Sequence, residues 1–114
     1  MPTRTVISGS RFEFTAKIYQ LFTAKPSSTV ALEIIDSDIV NSNDRTNYFI
    51  SGNATYDCWF ENSTLKNYGN MLYGGGEEST GTIILLNDKF PSFANPLGKI
   101  SADNVEIKRE GVLR

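Results

Sequence analysis

The chain has 114 residues, a formal net charge of −2, no His, one Cys and 39% hydrophobic residues, which fits one domain over 1–114 with a modest core. Lys and Arg (11) nearly balance Asp and Glu (13), which excludes a strongly basic nucleic-acid module and a highly acidic solvating tail. The longest apolar run, Ile83–Leu86, falls far short of the ~20 residues that span a bilayer, and Met1–Ser10 holds no apolar signal segment.

Asn (10), Ser (11) and Thr (10) are abundant, which favours strands and turns over helices. Thr3–Ser8 reads as a short strand, with Gly9-Ser10 as a turn. Over Arg11–Gln20 the apolar residues Phe12, Phe14, Ala16 and Ile18 alternate with polar ones, the mark of a half-buried strand. Ala24–Ser28 carries Pro26 and reads as a turn, and Thr29–Ile35 as a strand with Val30, Leu32 and Ile34 inward. Asp36–Asn47 is twelve mostly polar turn-formers and is expected to be a long functional or mobile loop. Tyr48–Ile50 and the bend Ser51-Gly52 lead to a second alternating strand, Asn53–Phe60. There Trp59 falls on the polar face, either as an exposed partner surface or as core beneath another layer.

Glu61–Tyr73 is the helix candidate: Ser63 can cap it, Leu65, Tyr68, Met71 and Leu72 recur at helical spacing, and Gly74-Gly75-Gly76 ends it. Ser79–Asn87 reads as a strand buried on both sides through Ile83–Leu86. Asp88–Gly98, with Pro91, Pro96 and exposed-looking Phe90 and Phe93, reads as an irregular loop. Strands over Lys99–Ala102 and Asn104–Lys108 close the chain. No internal repeat stands out. The expected fold is mainly β: an antiparallel β-sandwich or barrel with one short flanking α-helix.

The chemistry on offer is sparse. Without His no Ser-His-Asp triad, Cys-His dyad or His metal site can form in one chain. Cys58 is expected as a buried core thiol. Gly74-Gly75-Gly76 is followed by Glu77-Glu78, which would repel phosphate, so no phosphate loop is read there. The acid pairs Glu77/Glu78 and Asp36/Asp38 are expected to be solvated rather than catalytic. The sequons at Asn53 and Asn62 are read as chance matches. No catalytic, cofactor-binding or metal residue is assigned, and no enzyme activity is expected.

The order of parts over Thr29–Asn87 resembles the tail tube proteins of long-tailed bacteriophages. The strand Thr29–Ile35, the polar stretch Asp36–Asn47, the entry Tyr48–Gly52, the strand Asn53–Phe60, the helix with its Gly exit at Glu61–Gly76 and the strand Ser79–Asn87 carry that resemblance. It implies a structural virion protein, made in the host cytoplasm. Copies would form a ring, a hexamer by analogy, that contacts neighbouring tail proteins and passes DNA without specific binding or membrane contact. The expected oligomer interface is Asp38, Ile39, Val40, Ile83, Leu85, Phe90 and Phe93. A capsid decoration protein or a carbohydrate- or receptor-binding module is the alternative, with Trp59 and Tyr73 as an exposed aromatic surface.

Overall fold

The computed structural model describes residues 4–15, 20–42, 46–75 and 78–111. Twelve strands make up its regular structure: β1 (Thr5–Ser8), β2 (Arg11–Phe14), β3 (Gln20–Thr23), β4 (Ser28–Ile35), β5 (Asp38–Asn41), β6 (Thr46–Ser51), β7 (Ala54–Glu61), β8 (Thr64–Lys66), β9 (Tyr68–Tyr73), β10 (Thr80–Leu86), β11 (Asn95–Ile100) and β12 (Val105–Glu110). They form three sheets, ordered β1-β4-β7-β10-β12, β2-β5-β8 and β11-β9-β6-β3, and the paired strands run parallel. The chain therefore winds as a β-solenoid of about four turns, not an antiparallel sandwich or barrel. The first three coils each run once through the three sheets, and the fourth adds β10 and β11 with Lys89 bridged to Thr64 between them.

Successive coils place Ile7, Ile34, Phe60, Leu85 and Arg109 in one column, at separations of 27, 26, 25 and 24 residues. A repeat is thus present where the sequence showed none. In this sheet the period shortens at every coil, in the four-stranded sheet it runs 28, 22 and then 25–27, and the side chains in a column differ, so the pattern is smeared in one dimension.

The corners explain why the chain turns where it does. Gly9, Asp36, Asn62, Asn87 and Gly111 stand one above another after β1, β4, β7, β10 and β12, all with φ between 51 and 65°. Left-handed backbone is cheap for Gly and tolerated by Asn and Asp. Each of the first four donates its N–H to the carbonyl of the coil above or below, at 2.8–3.0 Å: Gly9 to Ile35, Asp36 to Glu61, Asn62 to Leu86 and Asn87 to Glu110. Gly9-Ser10 was legible as a turn; the corner at Asn62 was hidden in the expected helix, and the stacking of the corners was not legible.

The expected helix over Glu61–Tyr73 is absent. Those residues form β7's last residue, β8, a corner at Asn67 (φ 74°) and β9. Inside a strand, inward residues recur every second position. The Asn67 corner resets that count, so Leu65 and Tyr68, three apart, both point inward and imitate a helical spacing. Leu65, Tyr68, Met71 and Leu72 are all buried as the pattern required, but in strands.

Two expected loops are also strands in part. Asp36–Asn47 contains β5 and the start of β6, with 43–45 outside the described residues, and Asp88–Gly98 leads into β11. Ala16 and Ile18 of the first alternating stretch fall outside the described residues as well. The core runs along the axis of the coils. Phe49 sits edge-on between Phe60 and Tyr68, and Tyr68 packs against Phe93, with ring centres 5.0–5.7 Å apart.

Candidate functional site

The expected interface is mostly interior. Ile39 and Val40 in β5, Ile83 and Leu85 in β10, and Phe90 and Phe93 are buried in the chain's own core. Phe90 and Phe93 stack edge to face at 5.3 Å. Sequence alone made them look exposed because they flank Pro91 in a stretch that also holds Pro96, but both rings are buried in the fold. Asp38 alone of that set is accessible, with its carboxylate 3.7 Å from the Arg11 guanidinium.

Trp59 lies on the outer face of the five-stranded sheet, half-buried, and its ring N–H donates to the Glu61 carboxylate at 2.9 Å. Tyr73 is 36% exposed on another sheet and packs edge-on against Tyr48 at 5.1 Å. Trp59 and Tyr73 thus belong to different sheets and do not form one platform.

The acid pairs stay apart from any chemistry. Asp36 is a corner residue, Glu78 accepts from the Asn53 amide at 3.0 Å, and Glu77 lies outside the described residues. Cys58 is buried, and desolvation, helped by the Asp57 carboxylate, pushes its thiol up to about 12. A thiol held neutral in this way is a poor nucleophile. Among the described residues no group of three or more His, Cys, Asp or Glu is placed to hold a metal.

Sequence reasoning missed the end of the first coil. The inward residues Ile7, Phe12, Phe14, Leu21 and Phe22 have neighbours in the second coil and no coil on their other side among the described residues. Phe12, stacked on buried Ile39, is 41% exposed. These residues and Ile39 surround a hollow of about 130 Å³ with a wholly apolar lining. The edges of β1, β2 and β3 also leave main-chain groups unpaired by another described strand. The opposite end is more charged: β12 carries Glu106, Lys108, Arg109 and Glu110 exposed, beside an exposed Ile100 on β11, and Arg109 ends the column that Ile7 begins. Only the assembled coils reveal this asymmetry, because β2's alternation reads as an ordinary half-buried strand.

Comparison with known proteins gave no matching family model, no matching curated protein and no matching solved structure.

Proposed function

We propose that the protein is a structural, self-associating component that docks through the end of its first coil against the same end of a second copy. The exposed apolar end of that coil carries this reading. Phe12 and its neighbours offer apolar surface whose burial is worth roughly 25 cal/mol per Å². The edge of β1 offers main-chain donors and acceptors that a second β1 can meet antiparallel across a two-fold axis. Docking head to tail would instead set Arg109 and Lys108 against an apolar surface, which costs desolvation without a counter-charge. The charged end thus favours a closed pair over an open fibre.

A structural role keeps the part of the tail-tube reading that concerns assembly. The hexameric ring and the DNA conduit rested on a strand–helix–strand layout that the fold does not contain, so nothing here supports them. Light scattering tests the proposal. The expected mass is twice 12.7 kDa, falling to the monomer in Phe12→Asp and unchanged in Arg109→Glu. A wild-type monomer at high concentration overturns the reading, as does a Phe12→Asp dimer. A monomer whose single tryptophan, Trp59, is quenched by soluble oligosaccharide would move the function to the sugar-binding alternative.

A further inference from the structure

Behind the stacked left-handed corners runs a second column: Ser10, Ser37, Ser63 and Asp88. Ser37, Ser63 and Asp88 are buried. Each side chain caps the coil before it. The Ser10 N–H donates to Ser37 Oγ at 3.2 Å, the Ser37 N–H to Ser63 Oγ at 3.2 Å, and the Ser63 N–H to Asp88 Oδ1 at 3.0 Å. Each serine hydroxyl in turn donates to the carbonyl two residues back: Ser10 to Ser8 at 3.0 Å, Ser37 to Ile35 at 2.9 Å and Ser63 to Glu61 at 2.9 Å. Asp88 takes the next place in this ladder but, when ionised, has no proton to donate. Its Oδ2 is buried without a hydrogen-bond partner among the described residues.

We infer that Asp88 makes this corner a pH-sensitive joint: the folded chain holds it as the neutral acid, and its ionisation loosens the coil. As the acid it can repeat the serine pattern, accepting from Ser63 and donating to the Leu86 carbonyl. As the carboxylate it leaves a buried charge with an unsatisfied oxygen. The surroundings agree. Desolvation pushes the carboxyl up to about 7, the Glu61 carboxylate on β7 adds to the rise, and backbone hydrogen bonding at Ser63 and Leu86 opposes it. The other charged groups near the corner are Lys89, next in the chain, and Asp38 of β5. Both line the polar cleft of about 350 Å³ that borders Ser63 and Asn87. Glu110 of β12 meets Asn87 through its main-chain carbonyl. No described cation forms an ion pair with Asp88.

The sign follows from linkage. The folded carboxyl holds its proton above the unfolded value of 3.8, so stability is full below that value and is lost as pH rises through about 7. Between pH 5 and pH 8 the folded-to-unfolded ratio is expected to fall roughly 100-fold through this one group. Urea unfolding across that range, at two protein concentrations to separate any effect of dimer formation, tests it. Asp88→Asn supplies both an acceptor and a donor at every pH and is expected to remove most of the slope, gaining stability at pH 8. Carbon NMR of the wild-type carboxyl is expected to give a midpoint near 7. An Asp88 midpoint near 4, or an Asp88→Asn slope equal to that of wild type, overturns the inference. The NMR midpoint decides even if the variant fails to fold.

Discussion

At the scale of single residues, the buried polar groups separate into those the coil uses and one it does not. Ser79 is fully buried and bridges a corner, donating to the Gly74 carbonyl at 2.7 Å and accepting from the Ala54 N–H at 3.3 Å. Tyr56 is likewise tied down, its hydroxyl donating to the Gly52 carbonyl. Tyr68 is different: its hydroxyl is buried with no partner among the described residues, and burial alone lifts its ionisation well above the ordinary phenol range. A desolvated, unmade hydrogen bond costs about 1–3 kcal/mol. Tyr68→Phe keeps the ring contacts with Phe49 and Phe93 and is expected to be neutral or stabilising by up to about 1 kcal/mol in urea unfolding. A loss above 1 kcal/mol would show that the hydroxyl is satisfied in solution. The residue identities that matter at the corners were visible in the sequence as the pairs Gly9-Ser10, Asp36-Ser37, Asn62-Ser63 and Asn87-Asp88. Their near-regular spacing is the signal of the repeat, but in the sequence Gly9-Ser10 reads as a turn, Asp36-Ser37 as the start of a loop, Asn62-Ser63 as the start of a helix and Asn87-Asp88 as the end of a strand.

At the scale of elements, strand positions were largely legible and strand partners were not. Thr29–Ile35 and Asn53–Phe60 fall almost on β4 and β7, because a two-residue alternation requires only one buried face. Alternation says nothing about whether the neighbour runs parallel or antiparallel. Glu61–Tyr73 failed for the reason given by Asn67: a corner between two strands produces the three-residue spacing that a helix also shows. Gly81 illustrates the close approach that stacking imposes. It lies in β10 at φ 105°, and a Cβ there would run into the main chain of Tyr56 in β7. Gly81→Ala is therefore expected to cost roughly 2–4 kcal/mol, seen as a lower urea midpoint. A loss below 0.5 kcal/mol would mean that β7 and β10 do not stack in this register.

At the scale of the whole molecule, what counts is that the described strand pairings join residues 22–28 positions apart. No described strand pairs with the next described strand in sequence, so the chain must close a loop before it gains these ladders. Refolding is accordingly expected on the millisecond-to-second scale of non-local topologies rather than in microseconds, and far-UV circular dichroism is expected to show strand without helix. Microsecond refolding or a helical spectrum in stopped-flow and equilibrium measurements would contradict the coil. The two ends of the stack differ at this scale alone. Arg109 and Ile7 occupy the same column, yet one faces outward as a charged end and the other lies beside an apolar hollow.

The sequence by itself determined that the chain is rich in strands, that Gly9-Ser10 is a turn, which residues of β4 and β7 point inward, and that Cys58 is a core thiol. These are local properties, set by side-chain alternation and by the few residues that accept left-handed backbone. Only the tertiary structure decided that the strands run parallel in stacked coils, that Phe90 and Phe93 are interior while Phe12 is not, and that Asp88 completes a ladder of serines. Those outcomes depend on which residue lies one coil away, and a separation that varies from 22 to 28 residues among the sheets hides that neighbour from any fixed spacing.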